Sequence, residues 1–274
     1  MTGKVHSFKQ RFTDEMKLAR ELSMNSGKIL LSSFRRRKDI IHKGTFNLIT
    51  DIDEASERAI IAGIRRAYPH DSILTEESEK RDDDPDRRWL IDPLDGTNNY
   101  AHNFPFFSVS IAFEYFGRIV LGVVYNPLTE ELFSAVKDNG AYLNQRLIKV
   151  SHIDRLSDAL LSTGFPYDRL EGGETNLEFF GTFLMKAQGL RRTGSAALDL
   201  CFVASGRVDA FWELKLSPWD TASGALIVTE AGGKVTCLDG SEWNPHLREV
   251  LASNTLLHEQ MVAVARTVPR GLKP

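Results

Sequence analysis

In the first half of the chain lies the segment Trp89-Leu90-Ile91-Asp92-Pro93-Leu94-Asp95-Gly96-Thr97-Asn98-Asn99-Tyr100. Its apolar start is short enough to be a buried strand, and Pro93 is expected to end that strand and stiffen the bend after it. Asp92 and Asp95 follow on this turn, so that both carboxylates can reach one point. Because Mg²⁺ prefers oxygen ligands, the segment predicts a magnesium site. It is also compatible with an ordinary polar loop, since Asp, Pro, Gly, Thr and Asn are all turn formers.

The composition is that of an ordinary globular protein, with 42% hydrophobic residues, 26% charged residues and a net charge of −3. The charge gives no reason to expect nucleic acid or an anionic membrane as a partner. No apolar run approaches the roughly 20 residues of a membrane span, and residues 1–9 lack the apolar core of a signal peptide. A cytoplasmic protein is therefore expected, with Cys201 and Cys237 as buried thiols.

The first half predicts two helices followed by a mostly antiparallel sheet. Apolar residues at helical spacing predict a long first helix that ends at a basic cluster, residues 35–38. A second helix is expected from about Asp53 to Tyr68, with Asp53 as a candidate N-cap. Strands are expected over residues 72–75, 107–116, 119–125, 132–136 and 141–143. The first of them delivers Glu76 and Glu77 at its end, where α/β folds place ligands, although adjacent acids are usually exposed.

The second half alternates strands and helices, which is typical of a layered α/β arrangement. Helices are expected over residues 174–188, 196–205, 218–230 and 257–268, and strands over 159–165, 190–192, 208–214, 234–238 and 249–253. Thr193-Gly194-Ser195 opens one helix and is either an ordinary cap or a site that offers N–H groups and a hydroxyl to an anion or polyol. Asp220 opens another, where the helix dipole favours a carboxylate as a cap or as a metal ligand. Gly96-Thr97 can form a third helix N-terminus.

Three motifs, in this order and at about this spacing, resemble those of the inositol monophosphatase family of lithium-sensitive, magnesium-dependent phosphatases. They are Glu76-Glu77 after a strand, the segment 89–100, and Trp219-Asp220 followed by Glu230-Ala231-Gly232-Gly233. The resemblance implies an α+β or α/β fold, the layered α-β-α-β-α sandwich of inositol monophosphatases and fructose-1,6-bisphosphatases. It also implies a homodimer. We expect one domain, residues 1–274, with an α+β lobe over about 1–150 and an α/β lobe over about 151–274.

The resemblance places two to three Mg²⁺ ions on this chain. Glu76, Asp92 and the backbone carbonyl of Leu94 match the ligands of a first ion. Asp92, Asp95 and Asp220 match those of a second. A weaker third ion in the family relies on the residue that matches Glu76, together with water, so Glu76 is counted among the catalytic residues as well.

The resemblance also implies how the phosphate and the leaving group are held. Gly96 and Thr97 match the backbone that binds phosphate, and Thr97 with Asp53 resembles the pair that orients and deprotonates the attacking water. The loop Gly194-Ser195-Ala196 matches the one that faces the sugar or inositol ring. Glu213 matches an acid that accepts hydrogen bonds from ring hydroxyls.

The resemblance assigns less definite roles to three basic residues. Lys43 lies near a loop that closes over the metals in relatives, and one residue fewer separates it from Asp53 than in some of them. Arg191 and Arg192 shape either the leaving-group side of the site or a dimer surface.

The expected activity is hydrolysis of a small polyol or sugar phosphate, with inositol monophosphate first, by direct in-line attack of metal-activated water and without a phosphoenzyme. Relatives with the same metal core cleave fructose 1,6-bisphosphate, histidinol phosphate, NADP or 3′-phosphoadenosine nucleotides, and a broad sugar phosphatase is a further alternative. A regulatory or binding protein that retains the fold is an alternative of another class, because bacterial relatives associate with the transcription machinery. The complete set of acidic ligands favours an enzyme.

Overall fold

The computed structural model describes residues 12–35, 40–42, 48–77, 83–168, 170 and 174–270, with the backbone alone for 40–42 and 48–50. Lys43 and the basic residues 36–38 lie outside this part of the chain. The described residues form the helices α1 (Thr13–Ser33), α2 (Asp51–Ala67), α3 (Thr97–Ala101), α4 (Leu177–Leu184), α5 (Ala196–Ala204), α6 (Pro218–Glu230) and α7 (Thr255–Ala265). They form the strands β1 (Ile40–His42), β2 (Leu48–Thr50), β3 (Ser72–Thr75), β4 (Arg87–Asp95), β5 (Ser108–Tyr115), β6 (Arg118–Asn126), β7 (Glu131–Val136), β8 (Ala141–Leu143), β9 (Arg146–Leu147), β10 (Leu160–Thr163), β11 (Gly189–Arg191), β12 (Ala210–Leu214), β13 (Gly233–Thr236) and β14 (Glu249–Asn254).

The strands form two large sheets and one small one. The first large sheet has the order β3-β4-β5-β6-β7-β8-β9 and is antiparallel apart from the β3–β4 pair, which confirms the expected antiparallel first half. The second has the order β11-β10-β12-β14-β13 and mixes parallel and antiparallel pairs. Strands β1 and β2 pair only with each other.

The helices make three layers around the two large sheets. Helices α1 and α2 pack on one face of the seven-stranded sheet, α5 and α6 fill the space between the sheets, and α4 and α7 cover the far face of the five-stranded sheet. The predicted α-β-α-β-α sandwich is thereby confirmed. The residues of the middle helices are mostly small or apolar on every side of the helix. This composition suits helices that are enclosed on all sides.

The middle layer is packed at backbone distance. A Cβ at Gly122 of β6 would lie 2.8 Å from the carbonyl oxygen of Ser223 on α6. On the other side of α6, a Cβ at Gly224 would lie 2.6 Å from Cβ of Leu200 on α5. These approaches fix α6 against both neighbours, and with it the acid at its N-terminus.

Strand β4 differs from the prediction at Pro93. The strand does not end there but continues to Asp95, because its pairing with β5 resumes at Asp95 opposite Ser108 after a register shift that begins at Asp92. Such a bulge leaves a residue out of the ladder, so a proline without an N–H is tolerated inside the strand. The bulge sets the two acids on either side of a kink.

The helix predicted over residues 174–188 is shorter than expected, since α4 covers only Leu177–Leu184. Asn176, with φ of 71°, is left-handed and blocks a start at residue 174. Within the described part of the chain, no helix combines the length and the apolar content that crossing a bilayer requires.

Candidate active site

A cavity of about 440 Å³ opens where the ends of β3, β4 and β12 meet the N-termini of α3, α5 and α6. Most of the predicted site residues line it: Glu76, Asp92, Leu94, Asp95, Gly96, Thr97, Gly194, Ala196, Glu213 and Asp220. Asp53 and Ser195 are not on its surface and contact it through Thr97 and Asp95, respectively. The roles assigned to these residues stay predictions, but the fold gathers them around one space.

Asp92 stands at the centre of the acidic side chains. It is almost fully buried, and its Oδ1 accepts a hydrogen bond of 3.0 Å from the backbone N–H of Leu94. Burial, followed by the negative charges of Glu76, Asp95 and Asp220, raises its pKa well above the usual value. A nearby cation would favour the ionised form of this carboxylate.

Asp95 is held against the N-terminus of α5. Its Oδ2 accepts a hydrogen bond from the Ser195 hydroxyl and one of 2.9 Å from the backbone N–H of Ala197, and Ser108 Oγ lies 3.3 Å away. Burial raises the pKa of Asp95 to about 6, although these hydrogen bonds act in the opposite direction. These donors orient the carboxylate, but none of them carries a positive charge that would neutralise it.

Asp220 lies in the first turn of α6, where its Oδ2 accepts a 2.7 Å hydrogen bond from the backbone N–H of Ser217. The expectation that a helix N-terminus favours its ionised form is too simple. Burial raises the pKa of Asp220 to about 7, and the charge of Asp95 adds to this effect, against the Ser217 hydrogen bond.

The donor set fits a hard divalent cation. Four carboxylates, those of Glu76, Asp92, Asp95 and Asp220, line one cavity together with Leu94, and buried charges of one sign are normally compensated by counter-charges or metal ions. Among the described residues, no three acidic, histidine or cysteine side chains already form a closed metal-ligand cluster. Asp95 and Asp220 accept hydrogen bonds from backbone N–H groups at helix N-termini, and each carboxylate has further lone pairs with which it could bind an ion.

Thr97 connects the loop at Gly96 to α2. Gly96 precedes it with φ of 96°, a left-handed conformation that favours glycine, and α3 begins at Thr97 as predicted. The Thr97 hydroxyl lies 3.1 Å from Asp53 Oδ1 and 3.0 Å from the carbonyl oxygen of Leu94. Asp53 is buried inside α2, so the pair joins a rigid helix to the bulge of β4.

The Ser195 hydroxyl takes part in two hydrogen bonds, one as acceptor and one as donor. Its Oγ is the N-cap of α5, accepting from the N–H of Leu198 at 3.4 Å, and it donates to Asp95. The cap interpretation of the Thr193-Gly194-Ser195 motif is confirmed, whereas a site for an anion or polyol there stays a prediction.

Glu213 projects from β12 against a glycine. A Cβ at Gly164 would lie 2.1 Å from Glu213 Oε1 and 2.3 Å from Oε2, so the carboxylate occupies the space that a side chain would fill. Burial raises the pKa of Glu213, and Asp199 and Asp220 raise it further. Sequence reasoning missed Gly164, whose only signal is its place at the end of a predicted strand.

The substitution Gly164→Ala is expected to raise KM for polyol phosphates by about tenfold, because the added methyl group displaces the Glu213 carboxylate. Turnover of p-nitrophenyl phosphate, which has no ring hydroxyls, should be nearly unchanged. Steady-state kinetics with both substrates would show the difference. Gly181→Ala is the matched control, since a Cβ there meets no atom within 4 Å. Equal effects on the two substrates would contradict the role given to Glu213.

One wall of the cavity was not anticipated from the sequence. Residues 164–168 border the site, and Asp168 is held there by Lys215, whose Nζ lies 2.9 Å from each carboxylate oxygen. Lys215 adopts a left-handed φ of 60° directly after β12. No motif joins these two positions, which are far apart in the chain and are brought together only by the fold.

The stabilising effect of Mg²⁺ is expected to grow as pH rises from about 5 to about 8. The folded-state pKa values of Asp95 and Asp220, about 6 and about 7, lie above that of an unfolded Asp. Between about pH 4 and pH 7 the native protein therefore binds more protons than the unfolded chain, and without metal these two groups lower stability as pH rises. Above pH 7 both are ionised and available to the cation.

The measurement is the difference between Tm with saturating Mg²⁺ and Tm with chelator, taken across this pH range. Contributions from ionisable groups that do not bind the ion cancel in that difference. A difference that stays constant or shrinks with rising pH would show that these two carboxylates do not bind the ion.

Comparisons with known proteins agree with this geometry. The model of the inositol monophosphatase family matches residues 13–270. The Nus factor SuhB of Pseudomonas aeruginosa is 39% identical over 267 residues, covering 94% of this chain and 98% of that protein. The chloroplastic phosphatase IMPL1 of Arabidopsis thaliana is 39% identical over 261 residues, covering 92% of this chain and 70% of that protein. The solved inositol monophosphatase of Anabaena superimposes with a TM-score of 0.87 and 40% identity, covering 95% and 98% of the two chains.

Proposed function

Because this chain belongs to the inositol monophosphatase family and is a phosphatase acting on phosphate monoesters, we propose that it is a Mg²⁺-dependent hydrolase of small polyol or sugar phosphates. Inositol monophosphate is the first candidate substrate. The observation that carries the proposal is the cavity that Glu76, Asp92, Asp95 and Asp220 line together, where the charges of the other three acids raise the pKa of Asp92. Two to three ions are expected there.

The metal ions supply charge neutralisation for the phosphate dianion, activation of the attacking water and stabilisation of the departing alkoxide. Glu76, Asp92 and the Leu94 carbonyl would hold one ion, and Asp92, Asp95 and Asp220 another. Asp92 is shared between the two sets, and its position at the centre of the acids supports this assignment.

The residues around the ions would position the phosphate and the attacking water. The N–H groups after Gly96, at the start of α3, would bind phosphate oxygens. Thr97 and Asp53, joined by their 3.1 Å hydrogen bond, would orient the attacking water and take up its proton. No histidine lines the cavity among the described residues, so no side chain of that type is at hand for a phosphoenzyme.

The leaving group would lie between the N-terminus of α5 and Glu213. Gly194 and Ala196 present backbone to the cavity, and the Glu213 carboxylate can accept hydrogen bonds from hydroxyls. Such a site suits a polyol. The homodimer and the cytoplasmic location expected from the sequence are parts of the same proposal.

Phosphate release from a substrate panel, with Mg²⁺ and with chelator, tests this function. The panel holds inositol 1-phosphate, fructose 1,6-bisphosphate, histidinol phosphate, NADP and 3′-phosphoadenosine 5′-phosphate. Metal-dependent release with inositol 1-phosphate as the best substrate is expected. Preference for another compound would change the proposed substrate but not the proposed reaction. Phosphate release that continues in chelator would overturn the metal-dependent mechanism.

A regulatory role is the second candidate, since the relative in Pseudomonas aeruginosa is called a Nus factor. Such a role would add to catalysis here rather than replace it, because every predicted acidic ligand is present and lines the cavity. Affinity capture with and without Mg²⁺, using wild type and a metal-site variant, would separate a binding partner from the phosphatase activity.

A further inference from the structure

One wall of the cavity is attached at both of its ends to the end of β12. The wall segment, residues 164–168, begins at Gly164, where a Cβ would lie 2.1 Å from Oε1 of Glu213. It ends at Asp168, whose two carboxylate oxygens each lie 2.9 Å from Nζ of Lys215. Because Glu213 and Lys215 are near neighbours in the chain, the wall segment stays close to the point where Glu213 enters the cavity.

The start of the wall segment is held by buried side chains as well. Asn176 is buried, its Nδ2 donates to the carbonyl oxygen of Gly164, and its Oδ1 accepts a 2.8 Å hydrogen bond from Nε1 of Trp212. The ring of Phe165 packs against that of Phe180, with 5.5 Å between the centroids. These contacts fix the backbone that carries the rest of the segment.

Tyr167 is the residue of the wall segment whose side chain brings an unbonded hydroxyl to the cavity. It lines the cavity, it is 44% exposed, and its hydroxyl forms no hydrogen bond among the described residues. Burial, followed by the negative charge of Glu213, raises the pKa of this hydroxyl. At neutral pH the group is therefore protonated and can donate a hydrogen bond.

The hydroxyl of Tyr167 complements the carboxylate of Glu213. A carboxylate accepts hydrogen bonds, so the role proposed for Glu213 uses the O–H groups of a polyol and leaves its oxygen lone pairs without a donor. A polar group that enters a buried site is bound well only where its hydrogen bonds with water are replaced. A phenol O–H beside Glu213 supplies a donor for that purpose.

The three charged donors on the lining are already engaged. Lys215 forms the ion pair that ends the wall segment. The charge of Arg192 acts on Glu213, whose pKa it lowers against the effect of burial. Arg248 Nη2 lies 3.5 Å from the carbonyl oxygen of Lys215. Tyr167, by contrast, has a donor that no described residue uses.

We propose that Tyr167 is a specificity-determining residue, whose hydroxyl donates a hydrogen bond to a hydroxyl oxygen of the leaving group while Glu213 accepts one from the same group. The site thereby selects phosphate esters of polyols over esters whose leaving group has no hydroxyl. This inference rests on the proposed function, because it assumes that the scissile phosphate occupies the metal site.

The test compares inositol 1-phosphate with cyclohexyl phosphate, which has the same six-membered carbon ring and no hydroxyl. Tyr167→Phe removes one oxygen and keeps the aromatic ring. We expect this variant to raise KM for inositol 1-phosphate about fivefold, the effect of one lost hydrogen bond, and to leave kcat nearly unchanged. KM for cyclohexyl phosphate should stay at the wild-type value.

Tyr142→Phe is the matched control. Tyr142 lies on β8, is partly buried and does not line the cavity, and its hydroxyl likewise forms no hydrogen bond among the described residues. This variant should leave the KM values for both substrates unchanged. Tm of both variants checks that neither substitution disturbs the fold.

Two results would overturn the inference. An unchanged KM for inositol 1-phosphate in Tyr167→Phe would show that the hydroxyl does not contact the leaving group. A rise in KM for both substrates alike would show that Tyr167 supports the shape of the cavity and does not recognise hydroxyls.

Calorimetric binding in Mg²⁺ distinguishes this inference from the proposed function. The ligand is the phosphonate analogue of inositol 1-phosphate, whose P–C bond resists hydrolysis. Absence of turnover with every phosphate ester, together with analogue binding that Tyr167→Phe weakens, would refute the phosphatase proposal and support the role of Tyr167. Metal-dependent turnover, together with analogue binding that is equal in wild type and variant, would do the reverse.

Discussion

Asp95→Asn is expected to lower kcat/KM for the best substrate by about a thousandfold, more than the roughly 10- to 100-fold typical of residues that merely support a metal site. The substitution keeps the shape of the side chain and removes its charge. Its amide oxygen can still accept the 2.9 Å hydrogen bond from the N–H of Ala197, so the N-terminus of α5 should stay in place. The loss would therefore come from the missing negative charge toward Mg²⁺.

Calorimetric titration with Mg²⁺ gives a readout that does not depend on turnover. The variant should bind more weakly or with one ion fewer. In chelator at about pH 8 it should be at least as stable as wild type, because the carboxyl group, whose pKa is raised to about 6, no longer has to be ionised while buried. Asp154→Asn, on an exposed acid away from the cavity, is the control. Near-normal activity of the Asp95 variant would refute its assignment as a ligand.

Thr97→Ala is expected to reduce kcat by about a hundredfold or more, within the range of a lost general acid–base contribution. The hydroxyl lies between Asp53 and the Leu94 carbonyl, and the other hydroxyl of α3, that of Tyr100, donates instead to the carbonyl oxygen of Leu30. KM should change little, because the backbone N–H groups of the phosphate loop are retained. Kinetics of Thr97→Ala beside Thr97→Ser would test this, since serine restores the hydroxyl and should restore most of the rate.

Magnesium binding distinguishes the two explanations of a slow Thr97→Ala variant. Unchanged affinity for Mg²⁺ is expected if the hydroxyl acts on the attacking water through Asp53. Weakened affinity would show that its main task is to position the Leu94 carbonyl, and wild-type turnover in the alanine variant would remove Thr97 from the mechanism.

The sequence predicted those parts of the fold and site that depend on local pattern. The buried strand predicted from the apolar run at the start of β4 is one case. Trp89 and Ile91 pack toward α1 and α2 whereas Leu90 packs toward α6, so the strand is buried on both faces. The acidic residues at strand ends and at helix starts could likewise be recognised from their residue types and their positions in the sequence. Their convergence was inferred from the family resemblance, because spacing within one segment contains no information about its distance from another.

What could not be predicted depends on contacts between distant segments. The Gly164–Glu213 contact and the Lys215–Asp168 ion pair join positions that have no common motif. The end expected for β4 was wrong for a related reason. Proline disfavours regular pairing, but the partner strand β5 resumes its ladder beyond the bulge, and only the sheet as a whole determines that.

The middle helical layer has a consequence for how activity arises during folding. The Asp92–Asp95 pair belongs to the seven-stranded sheet, Glu213 to the five-stranded one, and Asp220 to the layer between them. Neither sheet alone contains the acidic site, so the catalytic cavity is completed only when both sheets have docked on α5 and α6. Recovery of turnover after denaturation is therefore expected to report the last docking step rather than secondary-structure formation. A Mg²⁺ ion held by Asp92, Asp95 and Asp220 would join the seven-stranded sheet to α6 and slow their separation.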